Sequence, residues 1–149
     1  MASPTPKPAR VFPTVDIVLV VDGHSVVLIR RKDPPFLDLL VFPGGHIDEG
    51  ERCAEACARE CEEETTYRPN PAELDLLMVL DDPTRDPRPG HTLSIIYTDQ
   101  ITSEVAATLR PESDAKEIVI RSIWDIQPEE MGFDHYEIVE KLRQKRLNL

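Results

Sequence analysis

Residues 45–67, GHIDEGERCAEACARECEEETTY, group three glutamates on one face of a predicted helix. At about 100° per residue, Glu60, Glu63 and Glu64 share an arc roughly 100° wide. Like charges at these spacings repel each other by about 0.2–0.5 kcal/mol per pair, so an ordinary helix gains nothing from grouping them. A hard divalent cation such as Mg²⁺ reverses that balance because it binds carboxylate oxygens. With a glycine-containing turn at 43–45 just upstream, the segment predicts a metal site suited to phosphate chemistry.

The acidic charge of the chain is unevenly distributed. The net charge is −11, and more than half of it lies between residues 48 and 64, where eight acidic residues accompany two arginines. Nucleic acid backbones require Lys and Arg counter-charges, so this balance argues against a nucleic acid partner. The same charge repels an anionic phosphate substrate unless bound cations bridge the two. The distribution therefore favours a metal-dependent protein.

Three cysteines, Cys53, Cys57 and Cys61, follow one another at intervals of four on the predicted helix. This spacing is unlike a C-x2-C zinc pattern, and we interpret it as a small-residue face that packs against a sheet. An odd number of thiols on one helix argues against a disulfide framework and indicates a reducing, cytoplasmic location. No apolar run approaches the ~20 residues that a membrane-spanning helix needs, so no membrane association is predicted.

Runs rich in β-branched residues alternate with turn signals along the chain. Asp-Gly at 22–23 separates the first two runs, which predicts a β-hairpin. The predicted strands are 15–21, 25–31, 37–42, 74–80, 92–98 and 117–123, and the predicted helices are 52–65 and 134–146. This order predicts an α+β or mixed α/β fold in which helices pack on the faces of a sheet.

The two ends of the chain differ in composition. Residues 1–12 contain three prolines and no apolar stretch, which predicts a flexible N-terminal arm rather than a signal peptide. Residues 13–149 are predicted to form a single domain, because their number suits one hydrophobic core. Apolar strand edges permit a homodimer.

The segment from 45 to 67 closely resembles the Nudix box. That signature is a glycine, five residues, a glutamate, seven residues, Arg-Glu, an apolar residue, any residue, Glu-Glu, any residue, a glycine and an apolar residue. Here Gly45, Glu51, Arg59-Glu60 and Glu63-Glu64 match every charged position at the right spacing. A solvated acidic helix face is the alternative interpretation of the glutamates alone, but the matching glycine, glutamate and arginine favour the Nudix interpretation.

Two positions depart from the signature. Cys61 stands where an aliphatic residue is usual, which is a mild change because a buried thiol behaves as a small hydrophobe. Thr66 replaces the final glycine, which usually supplies a positive φ that a β-branched residue disfavours. We therefore expect either a different geometry at the end of the helix or a strained Thr66.

The resemblance implies a fold and a metal site. The fold would be an α/β/α sandwich around a central mixed sheet. Mg²⁺ or Mn²⁺ would be held by the Gly45 backbone carbonyl and three glutamates, while Glu51 and Arg59 would form a structural pair that joins the loop to the helix. The three glutamates implied as metal ligands are Glu60, Glu63 and Glu64. The implied catalytic residues are the same three glutamates and Glu117. The general base stays open between Glu60, Asp114 and Glu117.

A second resemblance concerns the substrate. Residues 85–88, Arg-Asp-Pro-Arg, with His91 shortly after, resemble the R-D-P-R-G-H segment of Nudix ADP-ribose pyrophosphatases, with Pro89 as an extra residue. The segments 113–117 and 133–135 support this subgroup. Arginine forks match phosphate and ribose groups, so Arg85, Arg88 and His91 are the candidate substrate-binding residues. The alternative is a rigid turn carrying solvated charge.

The predicted activity is Mg²⁺-dependent cleavage of ADP-ribose, or a related nucleoside diphosphate derivative, to AMP and ribose 5-phosphate. One alternative is a hydrolase that releases pyrophosphate from nucleoside triphosphates. A second alternative is a non-catalytic nucleotide-sensing Nudix domain, against which the complete set of acidic positions argues. Trp124 and Tyr136 are interpreted as core residues rather than as platforms for a base.

Overall fold

Seven β-strands and three α-helices occupy the described residues, 10–147, of this computed structural model. In chain order the elements are β1 (Val11–Val21), β2 (Ser25–Arg31), β3 (Leu40–Val41), β4 (Gly44–His46), α1 (Cys53–Thr65), β5 (Asp75–Leu80), β6 (His91–Ile101), α2 (Ser103–Ala106), β7 (Ala115–Ser122) and α3 (Tyr136–Leu147). Two short 3₁₀ turns, Pro71–Glu73 and Pro128–Glu130, complete these elements.

The strands form one mixed sheet in the order β3-β2-β1-β6-β5, with β4 paired to β1 and β7 paired to β2. The β1–β6 pair is parallel, from Val11 opposite His91 to Val21 opposite Ile101, and the other pairs are antiparallel. Asp22 and Gly23 both have positive φ, as a tight hairpin between β1 and β2 requires. The predicted hairpin is therefore confirmed.

Both faces of the sheet are covered. On one face, alternate β1 residues such as Ile17 and Leu19 pack with Ala56, Cys57 and Cys61 of α1. On the other face, Val18 and Val20 pack with Ile138, Val139 and Leu142 of α3. Because side chains alternate along a strand, one apolar run supplies both layers. The α/β/α sandwich with a central mixed sheet is thus confirmed, as is the packing face that Cys57 and Cys61 form.

Several predicted boundaries were wrong. The strand predicted over 37–42 is only Leu40–Val41, because Phe36 and Asp38 have φ of 61° and 69° and the chain turns there. The closing helix begins at Tyr136 rather than at 134. Most of the predicted N-terminal arm, residues 1–9, lies outside the described residues, while Val11 and Phe12 already belong to β1.

Two side-chain environments answer questions left by the sequence. Thr66 ends α1 with φ 71°, and its amide donates to the Glu62 carbonyl at 2.9 Å, so the second of the two expected outcomes, strain at Thr66, is observed. Trp124 is 51% exposed, which makes the core interpretation wrong for that residue. Tyr136 does pack against the core.

Among residues 10–147, no helix is both long and apolar enough to cross a bilayer.

Candidate active site

A cavity opens between the C-terminal part of α1, the loop before β6 and the start of α3. Strands β1 and β4 form its floor. Its lining combines carboxylates, arginines, glycines and aromatic rings: Thr14, Asp16, Ile29, Arg31, Val41, Phe42, Gly44, Gly45, His46, Glu64, Arg85, Asp86, Arg88, Thr92, Asp114, Phe133 and His135. The sequence therefore folds so that one end of the acidic helix meets the arginine-containing loop.

Glu64 carries a carboxylate into the cavity from the last turn of α1. The residue is only 5% exposed, the Gly44 amide donates a hydrogen bond to it, and its Oε2 has no partner within the described residues. Burial raises the pKa of Glu64 well above its usual range, and the nearby carboxylates of Glu60 and Asp16 raise it further. A buried oxygen without a partner is costly, so this atom is suited to receive a ligand.

Glu60 lies beside the glycine turn. A Cβ placed on Gly45 would lie 2.4 Å from Cδ and Oε2 of Glu60, and one on Gly44 would lie 2.1 Å from the Val15 carbonyl oxygen. Only glycine fits at position 44, because the β1 backbone lies so close, whereas a side chain at position 45 would displace the Glu60 carboxylate. Burial raises the pKa of Glu60, although the hydrogen bond from Arg59 opposes that shift.

Arg59 is the centre of an ion-pair network. Its Nε and Nη2 each donate to a Glu51 oxygen at 2.8 Å, and Nη2 also donates to the His46 carbonyl at 3.0 Å. Its Nη1 donates to Glu60 at 2.9 Å and to Glu63 at 3.1 Å. The hydrogen bond from Arg59 lowers the pKa of Glu51 to about 2. The predicted pair is thus in contact and joins the loop before α1 to the helix.

The carboxylates suit a divalent cation by their chemistry. Within residues 10–147, no three His, Cys, Asp or Glu side chains are grouped closely enough to hold a metal ion as they stand. Arg59 donates hydrogen bonds to Glu60 and Glu63. Yet the unpartnered oxygen of Glu64 and the close contact between Glu60 and Gly45 place hard oxygen donors around one glycine turn. Such donors fit Mg²⁺ or Mn²⁺.

The loop arginines line the cavity, but each is paired with an aspartate. Arg85 binds Asp134 through two hydrogen bonds of 2.8 and 2.9 Å, and its side chain is 5% exposed. Arg88 binds Asp86 through bonds of 2.7 and 3.0 Å. His91 lies outside the lining, with its Nε2 at 2.9 Å from the Asp81 carbonyl oxygen.

The two candidate bases on and before β7 are separated by the fold. Asp114 lines the cavity. Glu117 does not; it is half exposed and accepts a hydrogen bond of 2.7 Å from Arg30. Of the predicted catalytic and metal-binding residues, the cavity brings together Gly45 and Glu64, with Glu60 directly behind Gly45.

A buried polar network in the cavity wall was not predicted. Ser94 donates to Oδ2 of Asp16, and His135 Nε2 lies 3.6 Å from the same oxygen. The Phe42 amide donates to His135 Nδ1 at 3.0 Å, so Nε2 carries the proton that faces Asp16. The signal was an aspartate inside the apolar run 15–21, since an unpaired charge is rarely buried. Ser94 carried no such signal, whereas His135 lies in the segment 133–135 that supported the subgroup.

Comparisons with known proteins agree with this geometry. The sequence model of the NUDIX domain matches residues 11–142. An ADP-ribose pyrophosphatase of Methanocaldococcus jannaschii is 35% identical over 127 residues, which cover 82% of this chain and 70% of that protein. The chain belongs to the Nudix family. It is an ADP-ribose pyrophosphatase-like member and a pyrophosphate-hydrolysing enzyme, as the sequence predicted.

Solved structures give the same fold with nucleotides bound. The NUDIX domain of Shewanella oneidensis NrtR, solved with ADP ribose, has a TM-score of 0.78 and 26% identity, covering 91% of this chain and 88% of that one. NrtR has also been solved with a 27mer DNA. That structure has a TM-score of 0.69 and 28% identity, covering 89% of this chain and 60% of that one. A third structure is a bifunctional NMN adenylyltransferase/ADP ribose pyrophosphatase of Francisella tularensis complexed with AMP and a Mn ion. It has a TM-score of 0.75 and 27% identity, covering 96% of this chain and 43% of that one.

Proposed function

We propose that this enzyme hydrolyses the pyrophosphate bond of ADP-ribose, or a related nucleoside diphosphate derivative, with Mg²⁺ or Mn²⁺ as its ion. The products are AMP and ribose 5-phosphate. The observation that carries the proposal is that a single cavity is lined both by Glu64, whose Oε2 has no partner among the described residues, and by the arginines of residues 85–88. A diphosphate needs both features, since its negative oxygens must be neutralised before water can attack.

The reaction balances with one water molecule. The water oxygen forms a bond to one phosphorus, the bond from the bridging oxygen to that phosphorus breaks, and the bridging oxygen leaves on the other phosphate. A divalent ion, when bound, neutralises phosphate oxygens and lowers the pKa of water. A carboxylate takes the proton of the attacking water. Asp114 is better placed for this than Glu117, because only Asp114 lines the cavity, and Glu60 stays a candidate.

The ion would be held by the carboxylates of Glu60, Glu63 and Glu64 with the Gly45 carbonyl. In this arrangement Arg59 must release Glu60 and Glu63, to which it donates at 2.9 and 3.1 Å. Its two bonds to Glu51 leave it anchored while it does so. The Glu51–Arg59 pair is thus proposed to have a structural role.

On the substrate side, Arg85 and Arg88 are proposed to form one wall of the cavity and to bind the substrate. Their pairing with Asp134 and Asp86 fixes both guanidinium groups in place. His91, outside the lining, is proposed to hold the loop through the Asp81 carbonyl rather than to touch substrate.

The partners follow from charge and exposure. A net charge of −11 supports a small nucleotide substrate rather than a nucleic acid. A homodimer is proposed through the edge strand β5, where Leu76 and Val79 are 63% and 47% exposed. Three free cysteines support a cytoplasmic location.

One experiment tests the activity. The wild-type protein is incubated with Mg²⁺ and ADP-ribose, dinucleotides, sugar nucleotides or nucleoside triphosphates, and the products are identified by chromatography. AMP and ribose 5-phosphate from ADP-ribose are expected. Pyrophosphate released from triphosphates in preference, or no turnover of any compound, would overturn the proposal.

Two variants on the same helix assign the activity to the site. Glu64→Gln is expected to lower kcat by about 100-fold or more, since it removes a buried charge near the reacting phosphates. Glu62→Gln is the matched control, because the exposed Glu62 side chain pairs with Arg68, and neither residue lines the cavity. Equal activity of the two variants would contradict the assignment to Glu64.

A further inference from the structure

Arginine side chains along the cavity differ in what they bind. Arg85 and Arg88 are each held by two hydrogen bonds to one aspartate. Arg31, at the end of β2, also lines the cavity but has no carboxylate within ion-pair distance in the described part of the chain. Its charge is therefore available to a ligand.

The position of Arg31 is set by its neighbours. Its Nε donates to the Pro35 carbonyl at 2.7 Å, and its guanidinium carbon lies 5.1 Å from the centre of the Phe133 ring. Neither Nη atom has a hydrogen-bond partner among residues 10–147, and neither is fully buried. The hydrogen bond at Nε thus orients the guanidinium group, while both Nη atoms remain accessible to a ligand.

The ring beneath Arg31 is itself held by strained backbone. Phe133 has φ 50° and Phe36 has φ 61°, and their rings pack at a centroid distance of 4.7 Å. Gly132 makes room for this pair, since a Cβ there would lie 3.1 Å from Phe36 Cβ. Positive φ in bulky residues is unfavourable and is concentrated at ligand sites. The strain here serves to place an aromatic platform under a guanidinium group.

Three carboxylates of the cavity lining attract Arg31 from beyond ion-pair distance, those of Asp114, Glu64 and Asp86. Arg88 lies over the same Phe133 ring, with its guanidinium carbon 5.8 Å from the centroid. Burial lowers the pKa of Arg31, and the charge of Arg88 lowers it further, although an arginine stays protonated. Because Asp86 already neutralises Arg88, an anion placed between the two arginines would chiefly relieve Arg31.

We propose that Arg31 binds a phosphate oxygen of the substrate through its Nη atoms and thereby selects diphosphate compounds. The assignment rests on the proposed function for the location of the substrate. Phe133 and the Pro35 carbonyl orient the guanidinium, and the Arg88–Asp86 pair forms the neighbouring wall. In this arrangement Arg31 supplies a cationic contact from the end of β2.

Binding without turnover tests the proposal. Affinities for ADP and for adenosine are measured by calorimetry with Ca²⁺ present, so that a cation offsets the repulsion between ADP and the acidic helix. Chromatography of the samples checks that ADP stays intact. Arg31→Gln is expected to weaken ADP binding by about 10- to 100-fold, the range for losing a hydrogen bond to a charged group, and to leave adenosine binding unchanged. Arg31→Lys should recover part of the loss, because a lysine keeps the charge but not the fork.

The control is Arg121→Gln on β7, whose guanidinium pairs with Glu130 and does not line the cavity. It is expected to bind ADP as the wild type does. If Arg31→Gln binds ADP like the wild type, or loses adenosine equally, the proposal is overturned. Because ADP binding needs no catalysis, a protein that fails to hydrolyse ADP-ribose can still show the Arg31 effect.

A second measurement covers the case in which Arg31→Gln does not fold. The wild-type protein is treated with phenylglyoxal, which modifies arginines, and the modified residues are mapped by mass spectrometry. ADP is expected to slow modification of Arg31 while leaving that of Arg121 unchanged. Equal modification of Arg31 with and without ADP would overturn the proposal.

Discussion

Gly45 lies so close to the Glu60 carboxylate that a side chain at its position would displace that carboxylate. Its missing Cβ would stand 2.4 Å from the Glu60 carboxylate, far inside van der Waals contact. The glycine therefore serves the approach of Glu60 to the backbone rather than backbone flexibility. Nothing in the local sequence 43–45 distinguishes this role from that of a turn glycine.

Gly45→Ala is expected to abolish most of the ADP-ribose hydrolysis, because the methyl group displaces Glu60 from the turn. It should also destabilise the fold by about 1–3 kcal/mol, as crowding in a packed site does. Turnover assays and urea unfolding measure the two effects.

Gly50→Ala is the matched control for Gly45→Ala. Gly50 has φ +89° and no atom within 4 Å of its hypothetical Cβ. The change should cost about 1 kcal/mol of stability through backbone strain and leave turnover intact. Full activity in Gly45→Ala would show that Glu60 does not depend on this contact.

At the scale of elements, helix α1 is joined to the loop before it by one arginine. Glu51 and Arg59 are eight residues apart and meet through two bonds of 2.8 Å. The pairing holds the loop at the side of α1 that carries Glu60 and Glu63. Because Glu51 lies before α1, helical geometry alone does not give this contact; the resemblance to the Nudix box implied it.

Stability is expected to depend on acid pH through Glu51. Because the pKa of Glu51 is lowered from 4.5 to about 2, its contribution is fully present above pH 4.5 and is lost as the pH falls toward 2. Glu51→Gln should therefore be less stable than the wild type at neutral pH and approach it near pH 2. Thermal unfolding between pH 2 and 7 measures the difference.

Glu49→Gln is the comparison for this prediction, because Glu49 is exposed and has no ion pair among the described residues. It should follow the wild-type pH dependence throughout. A constant difference between Glu51→Gln and the wild type from pH 7 to pH 2 would contradict the role of the charge.

Helix and hairpin were predictable because the interactions that form them are local. The acidic face of α1, the Asp-Gly hairpin and the alternation within β1 and β2 all follow from spacings of a few residues. The strand predicted over 37–42 failed because an apolar run alone does not reveal the left-handed φ values at Phe36 and Asp38. The Phe36 ring packs against Phe133, almost a hundred residues later, and no local pattern reveals that contact.

At the scale of the whole molecule, the loop before β6 is tied to the start of α3. Arg85 and Asp134 are 49 residues apart and form two hydrogen bonds at a buried position. The contact closes one wall of the cavity. It also explains why an arginine with almost no exposure is tolerated there, since its charge is paired.

Asp134→Ala is expected to destabilise the protein by about 3 kcal/mol, because it leaves the buried Arg85 charge without a partner. Urea unfolding measures the loss. The double variant Arg85→Met/Asp134→Leu should recover most of that stability, since a buried ion pair can be replaced by apolar residues of similar size. A small loss in the single variant would mean that Arg85 moves out to water.

The sequence by itself determined the acidic face of α1 and the covered sheet, because residues close in sequence meet through helix and strand geometry. The resemblance to the Nudix box indicated the class of enzyme. Only the tertiary structure decided which charges remain available. It paired Arg85 with Asp134, placed Asp114 in the cavity and Glu117 outside it, and left Arg31 open. Those outcomes depend on contacts between distant segments, above all the parallel pairing of β1 with β6, whose register no local pattern specifies.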